Sequence, residues 1–183
     1  MIMTVAELRQ YIDTDEKDQV LEAKLQALEL SIRAYTNNNF QVRAFRAVTV
    51  ATNGKTMLVN TSIPFKAGDT LQITESDLMQ DCLVSVAAVE KGKITVTEDL
   101  YDDSCVVITK VQYPQDVKMG VVNLLKWQLD NGDKVGVQSE TISRHSVTYF
   151  NMDGDNSIMG FPKSMLGFLK PYKRARFGQG LRV

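Results

Sequence analysis

The N-terminal hydrophobic residues repeat with the period of an α-helix. Those that step by four, three, four and three residues are Leu21, Leu25, Leu28, Ile32 and Tyr35. This spacing places them on one face and predicts a helix at about 17–36. Gln26, Glu29 and Arg33 fall on its other faces, where we expect them to be exposed. Asn37–Asn39 ends the helix, because asparagine tolerates the left-handed conformation.

A shorter helix is predicted before it at about 4–12. Thr4 precedes Glu7 by three residues, which is the spacing of a capping box. From Phe40 to Val111 the hydrophobic period changes to two, which is typical of strands. Five or six short strands are expected over these roughly 70 residues, enough for a small sandwich or barrel.

Two dipeptides predict hairpins within the β-rich part. Asn53-Gly54 separates 48–50 from 56–59, and Lys91-Gly92 separates 84–89 from 94–97. Such pairs supply the positive φ angles that two-residue turns require. Two tight turns are therefore expected at these positions.

Hydrophobic residues with helical spacing return after Pro114. Proline is common in the first turn of a helix, so we expect a helix to begin there. This helix is expected to end at Asn131-Gly132. Residues 141–150 are rich in β-formers and indicate an extended segment. A short helix is predicted from Pro162 until Pro171 stops it.

Composition narrows the class of protein. The 183 residues are 44% hydrophobic, and no apolar run approaches the ~20 residues that a membrane helix needs. The two cysteines, Cys82 and Cys105, make a poor disulfide scaffold and fit a reducing cytoplasm. The first ten residues lack the pattern of a signal peptide. We expect a globular protein of a reducing cytoplasm.

The charge is unevenly distributed. Residues 1–155 contain all 22 acidic residues and have a net charge of −7, whereas 156–183 contain six basic residues and no acid. Tyr172 and Phe177 interleave with these basic residues. A basic, aromatic tail on an acidic body is typical of an interaction element.

The sequence offers no convincing catalytic site. His145 is the only histidine, and Ser139, Ser143 and Ser146 near it lack a nucleophile elbow. Around 153–156 the acidic residues match neither frame of a calcium loop. Phosphate-binding glycine patterns are absent. We therefore expect a protein that is not an enzyme and has no cofactor or metal.

Four short sequence segments, taken in their order along the chain, resemble a known protein family. They are Ser31-Ile-Arg-Ala-Tyr-Thr-Asn-Asn-Asn-Phe40, Tyr113-Pro-Gln-Asp-Val117, Ser139-Glu-Thr-Ile-Ser-Arg-His-Ser-Val-Thr-Tyr149 and Leu166-Gly-Phe-Leu-Lys-Pro-Tyr-Lys-Arg174. Together they resemble the head–tail connector (adaptor) proteins of tailed phages, over about 4–40 and 112–177. Compact members join the first two phrases by a much shorter loop.

The resemblance implies a fold of α+β class. A small helical bundle core of the connector type, 1–40 and 112–170, is interrupted by an inserted small β-sandwich or barrel, 41–111. Residues 171–183 form a basic C-terminal arm. We expect the arm to be mobile and the insert to project outward from the ring, because a wide central insertion would obstruct the channel.

The function implied is structural. Subunits form a homo-oligomeric ring, roughly a dodecamer, beneath the portal protein in the virion. The ring extends the channel through which packaged DNA passes without sequence-specific binding, and it docks a stopper or tail-completion protein. The portal contact carried over to this chain comprises Lys170, Tyr172, Lys173, Arg174, Arg176 and Phe177. No membrane is involved.

Alternatives stay open from the sequence. The chain could itself be the stopper or tail-completion protein that binds the ring from below. It could also be a nucleic-acid-binding module with a barrel and a basic arm, although its acidic body would repel phosphate. An enzyme that depends on His145 is the third alternative.

Overall fold

The structure is a computed structural model that describes residues 1–60, 65–132, 139–142, 145–148 and 156–175. The chain divides into two compact units. One contains Asn39–Tyr113 and Met1, and the other contains Ile2–Asn38 together with the chain from Pro114 onwards. We describe each unit by itself.

The first unit is a closed antiparallel barrel of five strands in the order β1-β4-β3-β2-β5. The strands are β1 (Gln41–Val59), β2 (Thr70–Thr74), β3 (Leu83–Glu90), β4 (Lys93–Asp103) and β5 (Val107–Val111). Strand β1 is 19 residues long, and its first part (41–48) pairs with β5 whereas its last part (52–58) pairs with β4. Closure of the barrel leaves no unpaired edge strand.

Alternating apolar side chains fill the barrel. The buried cluster includes Met57, Leu71, Ile73, Ile94 and Ile108, each with 0% of its surface exposed. Alternation places every second residue of a strand on this inner side. The hydrophobic residues that repeat at every second position in these strands therefore contribute to one hydrophobic core inside the barrel.

The predicted hairpin at Asn53-Gly54 is wrong. Both residues lie inside β1, where the register with β4 shifts between Thr52 and Gly54 and again between Gly54 and Thr56. Gly54 has φ +54°, so its left-handed backbone is used in a bulge instead of a turn. The strand bends there without reversing.

The predicted hairpin at Lys91-Gly92 is confirmed. It joins β3 to β4, Glu90 pairs with Lys93, and Gly92 has φ +76°. Strand β2 at Thr70–Thr74 lies within the stretch for which five or six short strands were expected. The Lys91-Gly92 turn connects two strands that are hydrogen-bonded neighbours in the barrel wall.

The described residues of the second unit form three α-helices. They are α1 (Val5–Leu8), α2 (Asp18–Thr36) and α3 (Gln115–Asn131). The side chain of Thr4 caps α1 by accepting a hydrogen bond from the backbone N–H of Glu7, as predicted. This first helix is nevertheless only four residues long, and turns complete the segment that the pattern assigned to helix.

Short elements complete the second unit. Strands β6 (Ser139–Ile142) and β7 (His145–Thr148) pair with each other, as do β8 (Ser157–Ile158) and β9 (Phe161–Pro162). A 3₁₀ helix then runs from Lys163 to Tyr172. The extended character predicted for 141–150 is confirmed where that segment is described. Its structure is nevertheless a pair of strands.

The predicted fold class is wrong. Helix and strand occupy 34% and 35% of the structure, which is dominated by the five-stranded antiparallel sheet and has few, short helices. A helical bundle core interrupted by a β insert is therefore not what the chain forms. Helical periodicity shows that a helix has a buried face, but it does not show how many helices share a core.

Two side chains of α2 also depart from expectation. Glu29 and Arg33 are only 3% and 7% exposed, whereas Gln26 is exposed as predicted. Helical geometry places positions 29 and 33 beside the apolar face centred on Leu25 and Ile32. The buried face of α2 is thus wider than the apolar stripe alone.

Within the described residues, no helix combines the length and the apolar character needed to cross a membrane. Cys82 and Cys105 are both exposed free thiols.

A glycine in α3 permits close packing against the 3₁₀ helix. A Cβ atom built at Gly120 would overlap the ring of Phe168. Because overpacking of a fitted contact costs about 1–3 kcal/mol, Gly120→Ala should lower the free energy of unfolding by about that amount in urea denaturation.

Gly132→Ala is the matched control, since Gly132 has a helical φ of −57° and open space around its Cβ position. It should leave stability unchanged or raise it slightly. Adding Phe168→Leu to Gly120→Ala should recover part of the loss. Equal stabilities for the two alanine variants would contradict the close contact.

Candidate functional site

The candidate site is the basic segment, defined here as Lys170–Ala175. It begins in the last turn of the 3₁₀ helix, which is held in place by two buried side chains, Leu166 and Leu169. Lys170 lies next to Leu169 and is exposed. Burial of its neighbours therefore fixes the start of the segment while the charge of Lys170 stays in solvent.

The segment packs on the C-terminal end of α2. That helix closes with Asn37 in the left-handed conformation (φ +49°), and the N–H groups of Asn37 and Asn38 bond to the carbonyls of Ala34 and Arg33. This is a Schellman motif, which satisfies two of the last helical carbonyls. The carbonyl of Thr36 and the side-chain amides of the two asparagines take no part in this motif.

The basic segment supplies partners for these groups. The backbone N–H of Arg174 donates to the carbonyl of Thr36 at 2.8 Å. Asn38 Nδ2 donates to the carbonyl of Tyr172, and Asn37 Nδ2 to the carbonyl of Ala175, each at 3.1 Å. Three backbone groups within four residues are thus held by one helix end.

Tyr172 has a second anchor on α3. Its hydroxyl donates to the carboxylate of Asp116, with both oxygens at 2.8 Å. This hydrogen bond raises the pKa of Tyr172 above its ordinary value of 10.0, and desolvation and the negative charge of Asp116 act in the same direction. Tyr172 stays protonated at neutral pH and ties the segment to the first turn of α3.

Lys173 is also engaged within the chain. Its ammonium nitrogen lies 3.8 Å from the centre of the Tyr35 ring, which is the geometry of a cation–π interaction. Tyr35 belongs to the last turn of α2. The Tyr172 and Lys173 side chains therefore serve as anchors of the segment.

Two positive charges remain available. Lys170 and Arg174 are exposed, and neither forms an ion pair with any residue in the part of the chain that the structure describes. Since the backbone at Arg174 is fixed, its guanidinium projects from a defined point. Such a group can bind a carboxylate through two parallel hydrogen bonds.

The six residues that sequence reasoning grouped together thus have different roles. Lys170 and Arg174 are available to a partner, Tyr172 and Lys173 hold the segment, and Arg176 and Phe177 lie outside the described residues. The hydrogen bonds to the helix end place 171–175 against α2, and the mobility expected of the arm stays a prediction.

Sequence reasoning missed the groups that hold the segment. In the sequence, Asp116 was interpreted only as part of the phrase Tyr113–Val117, and Asn37 and Asn38 only as the end of a helix. The sequence does contain one signal, which is the pair of asparagines that follows α2. Their side-chain amides can donate hydrogen bonds to another part of the chain after the helix has ended. The pattern alone does not identify the chain segment that accepts.

The other candidate residues give no assembled site. Ser139 lies on β6, whereas Ser146 and His145 lie on β7; Ser143 lies outside the described residues. Residues 153–155 of the suggested calcium loop also lie outside them. Among the described residues, no three His, Cys, Asp or Glu side chains are placed to hold a metal ion.

Comparison with known proteins adds no assignment. The sequence matches no protein-family model, and a search of curated proteins gives no match.

The Tyr172–Asp116 hydrogen bond should be visible in the titration of Tyr172. Asp116→Asn should lower the Tyr172 pKa towards 10.0, because it removes the acceptor charge. Since the folded-state pKa is raised, the stabilisation is complete below pH 10.0 and is lost as the pH rises through the raised pKa.

The measurement is NMR of the ¹³Cζ resonance, with Tyr172→Phe used to assign the signal among the six tyrosines. Asp130→Asn is the control, because Asp130 is an exposed acid at the other end of α3. An identical Tyr172 pKa in the native protein and in Asp116→Asn would contradict the contact.

Proposed function

We propose that this protein is a structural component of a tailed-phage virion that joins the head to the tail. Copies of the chain assemble into a ring beneath the portal protein, extend the DNA channel and dock a stopper or tail-completion protein. The basic segment is the contact with the portal. The packaged DNA passes through the channel without sequence-specific binding.

One observation carries this proposal. Two phrases that resemble the connector family, Ser31–Phe40 and Leu166–Arg174, are more than 120 residues apart in the sequence. Residues of the first phrase hold the second, through the Thr36 carbonyl, the Asn38 amide and the Tyr35 ring. A chance likeness of two phrases gives no reason for them to touch, so their contact supports the resemblance.

The division into units gives further support. The resemblance covers about 4–40 and 112–177, and one compact unit unites Ile2–Asn38 with the chain from Pro114. Most of the described residues of the two family-like stretches therefore belong to one compact unit although they are separated in sequence.

The charges of the basic segment suit an acidic protein surface. Lys170 and Arg174 are exposed, and neither forms an ion pair with a described residue. A pre-positioned segment loses less conformational entropy on binding than a free arm. A ring repeats the contact once per subunit, so that modest individual affinities combine into a stable joint.

The outward face of α2 supports contact between subunits. The exposed apolar residues on this face, which repeat at steps of three and four, are Val20, Ala23, Ala27, Leu30 and Ala34. Leu30 is 64% exposed. Small residues at this spacing allow another element to approach a helix closely.

The proposal predicts that the protein binds tailless, DNA-filled heads of its phage at moderate salt. Lys170→Glu combined with Arg174→Glu should weaken this binding by about tenfold or more, because reversed charges at an interface repel. Binding is measured by co-sedimentation with heads over a range of protein concentrations.

Lys17→Glu combined with Lys126→Glu is the matched control, since it changes net charge equally at exposed lysines outside the basic segment. This control should bind like the native protein. Absence of head binding by the native protein, together with salt-sensitive binding to duplex DNA, would contradict the proposal and favour a nucleic-acid-binding module.

A further inference from the structure

We propose that one end of the barrel is a docking surface for a second protein, whose matching surface is basic and carries an apolar recess. We assign this partner to the tail side of the joint. The assignment rests on the proposed function, whereas the docking surface itself is argued from the barrel alone. We define the acidic end as residues 75–82 and 98–105.

The two stretches of the acidic end are joined to each other. Ser76 Oγ donates to Asp103 Oδ2 at 2.6 Å, and the backbone N–H of Met79 donates to Ser76 Oγ at 3.0 Å. Thr52 Oγ1, on β1, contacts the carbonyls of Tyr101 and Asp103 at 2.8 and 3.3 Å. The loop after β2 and the end of β4 therefore form one continuous surface.

This surface is strongly negative. Its two stretches contain no lysine or arginine, and their seven carboxylates are Glu75, Asp77, Asp81, Glu98, Asp99, Asp102 and Asp103. In the described part of the chain, the cation that forms an ion pair with them is Lys55, 3.9 Å from Asp99, and both of these side chains are exposed. An exposed pair of this kind neutralises little.

Neutral groups satisfy several of these carboxylates without removing their charge. Gln72 Nε2 donates to Asp81 at 2.7 Å, and Asn53 Nδ2 donates to Asp102 at 2.8 Å. Such amide contacts fix the orientation of the carboxylates. The acidic end is therefore both negative and held in a defined geometry.

Two large apolar side chains stand on the same surface. Leu78 is 63% exposed and Tyr101 is 64% exposed, although the other apolar residues nearby, Met79 and Leu100, are buried. An aromatic and an aliphatic anchor within a polar rim is the composition of a protein–protein hot spot.

The chemistry of the partner follows from this surface. A nucleic acid is excluded because phosphate would meet seven carboxylates. Lysine and arginine side chains complement the charge, and an apolar recess would bury Leu78 and Tyr101. Because the basic segment selects an acidic partner, the chain presents two surfaces of opposite charge, as a joint between two different proteins requires.

The test uses heads that have been loaded with the protein and then mixed with purified tails of the same phage. Asp77→Lys combined with Asp102→Lys should slow tail joining by about tenfold or more, because steering between opposite charges is lost. Leu78→Ser combined with Tyr101→Ser should lower the final yield similarly, since it removes the apolar anchors. Loading of the protein onto heads should be unchanged.

Matched controls are available elsewhere in the chain. Asp13→Lys combined with Asp15→Lys reverses two exposed charges outside the barrel, and Leu58→Ser removes an exposed apolar residue that pairs with Lys93. Both should join tails at the native rate. Normal joining by the two acidic-end variants would overturn the inference.

A second arm separates this inference from the proposed function. Native protein without heads is mixed with purified tails, and its binding is compared with that of the acidic-end variants. If the protein fails to bind heads but binds tails through the acidic end, the portal contact is wrong and the docking surface stands. If Asp77→Lys with Asp102→Lys instead abolishes self-association of the free protein, the occupant is a second copy and the assignment to the tail is overturned.

Discussion

The end of α2 is the constraint on which the functional part of this molecule depends. A helix leaves its last carbonyls without partners inside the helix, and here a Schellman motif satisfies only some of them. The Thr36 carbonyl and the amides of Asn37 and Asn38 bind a chain segment more than 130 residues further on. The position of the basic segment is therefore fixed by the hydrogen-bonding requirements of a helix terminus.

The fixed segment and the acidic end of the barrel divide the charge of the chain between two surfaces. A net charge of −1 conceals this division, because the positive and negative groups nearly cancel. Opposite charges on separate units favour different partners and disfavour exchange between them. The proposed function uses this division, because a joint between two unlike proteins needs a separate surface for each.

The sequence predicted elements better than it predicted architecture. The extents of α2 and α3 and the Lys91-Gly92 turn follow from local rules, since each depends on residues a few positions apart. The hairpin predicted at Asn53-Gly54 is wrong because the positive φ angle of Gly54 is compatible with a β-bulge as well as with a hairpin turn. Helical spacing did not show that the barrel dominates the fold. For the site, composition located the basic segment, whereas its anchors Asp116 and Asn38 depend on tertiary contacts that no local pattern encodes.

The central claim is that the fixed basic segment contacts the portal, and site-specific photo-crosslinking tests it most directly. A photoreactive residue replaces Arg174 in one preparation and exposed Lys126 in another, and each protein is loaded onto tailless heads and irradiated. The account predicts a crosslink from position 174 to the portal protein and little or none from position 126. A crosslink from position 174 to DNA, or to a tail protein after tails are added, with none to the portal, would contradict it.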